Sequence, residues 1–303
     1  MQNKPTDLCG ILVVDKPSGF TSHDVVSKMR KLFNTRQIGH TGTLDPMATG
    51  VLPILCGRAV KASEYLSAHD KAYVATLRLG AVSDTGDTDG AVRETGAPIP
   101  HEAAVLAAAS AMVGSRLQTP PMTSAIKVNG KKLVDYQRAG VTVEVAPRPI
   151  EIYSASAEKL SDREYRLSLS VSKGTYVRTV ITDLGEILGC GAVMTSLRRT
   201  VSGAFDLSAA YTLATLESME PSDRISLLLP IESAFSDLSA VRLAPFFARL
   251  CKNGCEVYQK KIGTKLPVGT RVRLLDEDGF FALGEVREYA DGTAIKMIKL
   301  FSL

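Results

Sequence analysis

The chain has few cysteines and no long apolar run. Its five cysteines, Cys9, Cys56, Cys190, Cys251 and Cys255, are scattered and odd in number. That pattern excludes a disulfide framework and points to a reducing cytoplasm. Cys251 and Cys255 stand one helical turn apart, but no histidine or further cysteine lies near them in sequence to complete a zinc site, so no metal is expected. No stretch approaches the roughly 18 apolar residues that span a bilayer. Met1 to Gly10 carries neither the apolar core nor the cleavage pattern of a secretion signal, so the expected location is cytoplasmic, with no membrane partner. Internal repeats and low-complexity tracts are also missing, which excludes a repeat architecture.

What remains is the composition of an ordinary folded protein. There are 303 residues, 45% of them apolar and 22% charged, enough for one large domain or one large and one small. The net charge of +4 is mild, but its distribution is uneven. Residues 101–200 hold 13 Lys and Arg against 9 Asp and Glu, residues 241–303 hold 11 against 7, and residues 201–240 hold 1 against 6. Two basic segments flanking an acidic one permit a polyanionic partner such as RNA without requiring it.

Periodicity sets out the elements. Ile11 to Asp15 reads as a short apolar strand that ends in a Lys16-Pro17-Ser18-Gly19 turn. Thr21 or Ser22 caps a helix with Val25, Val26, Met29, Leu32 and Phe33 on one face. Ala72 to Gly80 reads as a strand with Tyr73 near its start, Ser83 to Gly90 as an acidic polar loop, and His101 to Gly114 as an Ala-rich helix. After the break at Thr119-Pro120-Pro121, residues 122–149 carry Lys127, Lys131, Lys132, Arg138 and Arg148 between prolines, which suggests an excursion from the core. Tyr165, Leu167, Leu169 and Val171 alternate with polar residues as in a half-buried strand. A helix carrying Val180, Ile181, Leu184, Ile187 and Leu188 then ends at Gly189, and Ala192 to Thr200 resumes extended structure. Beyond a composition shift near Pro221 to Ser239, short strands at 271–275, 280–286 and 294–298 suggest a separate small β-domain.

The most informative segment is Gly39-His40-Thr41-Gly42-Thr43-Leu44-Asp45-Pro46-Met47-Ala48-Thr49-Gly50. It frames one carboxylate with almost no bulk, so a large flat substrate can approach Asp45 as a nucleophile or base. Pro46 directly after Asp45 biases the aspartate to a turn or extended conformation. Gly39, Gly42 and Gly50 are expected to serve backbone geometry. An Asp-Pro turn or a helix cap would use the same residue types without any catalysis.

Together with its continuation Val51-Leu52-Pro53, this loop resembles the signature of the bacterial TruB family, the tRNA pseudouridine-55 synthases. Asp15-Lys16-Pro17 with Ser22, then Lys71-Ala72-Tyr73, then Ser172-Lys173-Gly174-Thr175-Tyr176-Val177-Arg178-Thr179, with Asp183-Leu184-Gly185 and Leu197-Arg198-Arg199 beyond, agree in order and approximate spacing. The resemblance covers roughly residues 10–205. The C-terminal part is more weakly similar to a PUA domain, a small RNA-binding barrel.

The resemblance implies an α/β (α+β) fold, a central mixed, largely antiparallel sheet flanked by helices, with Asp45 in a cleft across it. It implies a catalytic domain over residues 1–225 with a thumb-like RNA-binding excursion at 122–149, and a PUA-like β-barrel at 238–303. The implied activity is the detachment, turning and rejoining of a uracil in the T-loop of tRNA. That isomerisation involves no redox change, so no cofactor is implied. Asp45 corresponds to the essential carboxylate, which attacks the sugar carbon, the ring or a sugar proton. Arg178 resembles the arginine that holds that carboxylate, expected here as a bidentate pair. A cation opening a helix is poorly placed unless it has an acidic partner.

Tyr73 would stack on the uracil and take the ring-carbon proton, with Tyr176 beside it. His40 would fill the space of the flipped nucleotide. Lys16 would steady the Asp45 loop or touch phosphate. Lys127, Lys131 and Lys132 would close over the T-arm, and Leu197 would pack near the site or simply in the core. The implied partner is tRNA, gripped by its T-arm and, through the C-terminal domain, by its acceptor end, with no obligate protein partner. Three other readings stay open. These are a guide-RNA-dependent synthase of the same superfamily, a non-catalytic tRNA-folding chaperone, and a glycosidase-like hydrolase, for which no second carboxylate is evident beside Asp45.

Overall fold

Two strands of almost unbroken apolar sequence, Gly10–Lys16 and Thr49–Cys56, run through the centre of the computed structural model, which describes residues 8–301. They are apolar throughout because both faces are covered. Leu12, Val14, Leu52 and Ile54 pack toward the helix Ser22–Leu32, which supplies Val25, Val26 and Met29. The alternate residues Ile11, Val13, Val51 and Leu55 pack on the other face, against Phe205, Ile231, Phe235, Leu283 and Phe301. Each fully buried side chain of this kind contributes about 1.5–3 kcal/mol relative to exposure. Residues 1–7, part of the stretch read for a secretion signal, lie outside the described residues. No helix among the described residues is long and apolar enough to cross a membrane.

Across the central sheet the strands run Tyr211–Thr212, Gly10–Lys16, Thr49–Cys56, Ala192–Ser202, Lys71–Leu79, Glu164–Val171, Arg148–Lys159 and Gly114–Gln118. Five of these neighbour pairs are antiparallel. The exceptions are Tyr211–Thr212 beside Gly10–Lys16 and the short seam where Arg198 and Arg199 run parallel to Thr49 and Gly50. The architecture is the mixed, largely antiparallel sheet with flanking helices that the resemblance implies.

Local physics explains most element boundaries. Thr21 caps the first helix through a reciprocal capping box with Asp24. That leaves Ser22 free to turn inward and bond the Leu44 backbone. Tyr165, Leu167, Leu169 and Val171 are all buried, as their alternation requires. The Ala-rich helix spans only Glu102–Ser110, capped by His101. The chain beyond it forms the edge strand Gly114–Gln118, whose apolar content is too low to announce itself. In the helix Val177–Ile187, Val180, Ile181 and Leu184 are buried, but Ile187, at the last turn, is exposed. The strand Arg148–Lys159 begins at Arg148, which pairs with Gln118.

The C-terminal residues form a second, five-stranded sheet ordered Ser239–Arg242, Arg271–Leu275, Phe280–Tyr289, Gly292–Leu300 and Val257–Tyr258. It curls as a half-barrel around Val241, Val272, Leu274, Phe281, Val286 and Ile295, with Ala248 and Cys251 from the helix Pro245–Lys252. A ring cluster of Phe235, Phe280 and Phe301, with centroids 5.5–6.1 Å apart, ties it to the back of the central sheet.

Of the three glycines around the Asp45 loop, only Gly50 needs to be one. Its φ is +103°, and a Cβ there would stand 2.2 Å from the Arg199 carbonyl oxygen. Gly39 and Gly42 have ordinary φ and room for a methyl group. Gly50→Ala is therefore expected to lower unfolding free energy in urea by about 2 kcal/mol or more. Gly39→Ala should shift it by no more than about 1 kcal/mol.

Candidate active site

The Asp45 turn is held from beneath by the chain itself. The Ala48 N–H donates to the Asp45 carbonyl at 3.0 Å, and the Gly19 N–H donates to the Pro46 carbonyl at 2.9 Å. Ser22 Oγ accepts from the Leu44 N–H at 2.8 Å. Lys16 is fully buried. Its ammonium donates to the carbonyls of Pro17, Phe20 and Pro46 at 2.9, 2.6 and 3.2 Å. All three of its donors are thus spent on backbone carbonyls, two in its own turn and one directly after Asp45. Burial pushes the Lys16 pKa down to about 8, partly countered by the Asp45 charge.

Asp45 itself is one-third open, its side chain 34% exposed. Burial raises its pKa above 3.8, the Arg178 charge opposes that rise, and the Asp87 and Asp89 charges add to it. Arg178, the second residue of its helix, meets Asp45 through Nε at 3.1 Å. This differs from the bidentate fork expected from sequence, because the rest of the guanidinium is engaged elsewhere. Nη1 donates to the Thr85 carbonyl at 3.2 Å and to Thr123 Oγ1, and Nη2 donates to the Thr123 carbonyl at 3.3 Å. Asp87 Oδ2 lies 3.5 Å from the same Nε.

Asp87 revises the expectation that no second carboxylate stands near Asp45. It is 4% exposed, accepts from Thr85 Oγ1 at 2.6 Å and from the Asp89 N–H at 3.1 Å, and so faces its own loop and Arg178. Two carboxylates share one guanidinium, which compensates a cation otherwise misplaced at a helix start.

Asp45 opens into a cavity of about 450 Å³ lined also by Tyr73, Leu197, Tyr176, Arg178, Lys71 and Arg199. That volume is within the roughly 300–1,000 Å³ of small-molecule sites. Tyr73 and Leu197 project from adjacent strands of the central sheet. Tyr176 caps the Arg178 helix with its backbone, and the Gln118 amide clamps that backbone, accepting from its N–H at 2.8 Å and donating to its carbonyl at 3.1 Å. Lys71 is buried, donates to the Ser67 carbonyl at 2.9 Å and to the His69 carbonyl, and burial pushes its pKa down to about 8.

His40 lines a neighbouring cavity of about 460 Å³, which shares Gly42, Thr43 and Ser67 with the first. Its Nδ1 accepts from the Gly42 N–H at 3.2 Å, and burial lowers its pKa below 6.5, so the neutral imidazole is favoured. Lys127, Lys131 and Lys132 are exposed on a small hairpin over the site. Its two-residue turn is Asn129-Gly130, with φ of +50° and +80°. The hairpin roots press on the cavity through Thr123, Ser124, Ala125 and Val134, and buried Leu133 anchors them.

Asp87, Gln118 and Thr123 went unmarked in the sequence, and Lys71 stood there only as part of the Lys71-Ala72-Tyr73 motif. Asp87 lies in the loop read as acidic and polar, and nothing local marks which of its carboxylates turns inward. The Asn-Gly dipeptide was a usable hairpin signal.

Residues 30–177 match the model of the TruB family pseudouridylate synthase N-terminal domain. Residues 178–236 match the tRNA pseudouridylate synthase B C-terminal domain. The chain is 41% identical over 276 residues to a tRNA pseudouridine synthase B of Aromatoleum aromaticum, covering 91% of this chain and 88% of that one. It is 40% identical over 273 residues to one of Burkholderia mallei, covering 89% and 90%. Among solved structures it is similar to a Cbf5-Nop10-Gar1 complex, with a TM-score of 0.75 and 26% identity over 96% of this chain and 84% of that one. The chain belongs to the TruB family of pseudouridylate synthases.

Activity that depends on ionised Asp45 should fall as pH drops through its raised pKa, giving an acid limb above pH 3.8. Because the Asp87 charge contributes to that rise, Asp87→Asn should move the limb of the single-turnover rate to lower pH. Arg178→Lys should cost about a hundredfold or more in turnover, since one ammonium cannot reach Thr85, Thr123 and both carboxylates together.

Proposed function

We propose that this chain converts a T-loop uridine of tRNA to pseudouridine, with Asp45 as the nucleophile. The observation that carries this is a one-third open carboxylate, braced by Arg178, at the mouth of a cavity with Tyr73 in its wall. A stacked uridine is out of reach of any side chain, so the nucleotide must be turned out of the loop at a cost of a few kcal/mol. Stacking on Tyr73, worth about 1–3 kcal/mol, offsets part of that cost. Neutral His40 fills the vacated space, Tyr176 borders the base and Leu197 supports it.

Asp45 acts at the sugar as the bond to the base nitrogen breaks. The freed uracil turns, its ring carbon displaces the Asp45 carboxylate from the sugar carbon, and the carbon-bound proton passes to Tyr73. Lys127, Lys131 and Lys132 hold the T-arm backbone, which adds affinity without reading sequence. The thumb spans residues 122–149 and the catalytic domain residues 1–225. The PUA-like domain, residues 238–303, takes the acceptor end. The reaction calls for no cofactor and no protein partner.

The likeness to Cbf5, seen in a complex with Nop10 and Gar1, supports one competing reading, a guide-dependent synthase. The relatives at 40% identity and above carry the name tRNA pseudouridine synthase B, which supports the stand-alone reading. Turnover on a protein-free, guide-free tRNA transcript separates the two.

Asp45→Asn should leave tRNA affinity within about threefold and abolish pseudouridine, read by mass-labelled mapping of the T-loop. Retained turnover removes Asp45 from the chemistry. Replacing Lys131 and Lys132 together by Ala should weaken binding and flatten the slope of log K against log salt by roughly one to two. An unaltered slope removes them from the phosphate contacts.

A further inference from the structure

Arg199 stands out among the residues lining the Asp45 cavity. It is 1% exposed, yet no carboxylate lies within ion-pair distance of it among the described residues. Its neighbour Arg198 has Asp15 at 2.8 Å, and Arg178 has two acids. The Arg199 guanidinium donates instead to neutral groups, Val51 O at 2.7 Å and Gly42 O at 3.2 Å. Arg199 is also the register partner of Tyr73 across the antiparallel strands, so the two side chains share a face. Both side chains line the Asp45 cavity, where burial lowers the Arg199 pKa and the neighbouring Tyr73 raises it. A neutral donor would satisfy the carbonyls at a smaller desolvation cost than a buried, unpaired cation. The charge therefore has a use that the resting protein does not show.

We propose that Arg199 is a positioning residue for Tyr73, orienting the phenol and stabilising its deprotonated form while it receives the proton from the uracil ring carbon. This rests on the reading of Tyr73 as proton acceptor. A guanidinium has donors only, so a phenolate oxygen facing it is the partner it suits.

After the ring has rejoined through C5, the hydroxyl proton leaves to water and the phenolate takes the proton from C5. The C5–H electron pair forms the C5–C6 double bond, the former C6–N1 double-bond pair moves to N1, and N1 is protonated from water. Tyr73 ends as it began. The positive charge of Arg199 faces the phenolate only between those two transfers. The bond to Gly42 lets the same side chain fix the Asp45 loop relative to Tyr73.

The test uses tRNA transcripts whose uridines carry hydrogen or deuterium at C5, with single-turnover rates for the full chain and its variants. Arg199→Met should slow turnover about tenfold or more, keep tRNA affinity, and acquire a C5-deuterium isotope effect larger than that of the parent. Arg199→Lys, which keeps the charge, should recover part of the rate and reduce the isotope effect. A slow Arg199→Met without an increased isotope effect would mean that Arg199 only shapes the Asp45 loop, and an unchanged rate would mean that it does neither; both overturn the proposal. If Arg199→Met does not melt cooperatively, Arg199→Gln and Arg199→Lys are read by the same criterion. Tyr73→Phe reports separately on the underlying reading. If its C5 step is no slower, Tyr73 is not the acceptor, whatever Arg199 does.

Discussion

A carboxylate in a half-closed cavity remains useful only if something keeps it charged, and here that is the Arg178 guanidinium at 3.1 Å. Burial pushes the Asp45 proton affinity up and Arg178 pulls it back. Much of the surrounding structure secures that one contact. Thr85 and Thr123 occupy the outer nitrogens, so the guanidinium cannot swing away. Asp87 balances its charge, and Lys16 and Ser22 hold the turn that presents the aspartate. Such bracing suits a group that must act without first reorganising its surroundings.

The same contact joins distant parts of the chain. Asp45 comes from the loop before the Thr49–Cys56 strand, Asp87 from an acidic loop, Thr123 from the root of the basic hairpin, and Arg178 from a helix start. The hairpin that carries Lys127, Lys131 and Lys132 is thus wired to the Arg178 guanidinium through Thr123. The parallel seam between Thr49–Gly50 and Arg198–Arg199 brings a second cation beneath the site, with Gly50 allowing the backbones to approach.

Much of this was legible from sequence where the signal is local. The alternation from Tyr165 to Val171 marked a half-buried strand, and Val25, Val26 and Met29 marked a helix face. The sparse frame around Asp45, with Pro46 after it, marked an exposed turn. A cation at the start of a helix signalled that Arg178 had an acidic partner. Other features left no local trace. The edge strand Gly114–Gln118 is nearly polar, and the Arg148–Lys159 strand is made by pairing rather than by an apolar pattern. Asp87 looks like any acid in a polar loop until Arg178 is brought to it.

The sequence by itself determined most of the elements and the reactive groups, because helix and strand periods, caps and turn residues act over a few neighbouring positions. It also carried the ordered motifs of a TruB-type chain. Only the tertiary structure decided which carboxylates share Arg178, that Lys16 reaches the Pro46 carbonyl of the Asp45 turn, and that Arg199 is buried beside Tyr73 without an acid. Those outcomes depend on desolvation and on distances between segments tens of residues apart, and neither exists until the sheet has closed.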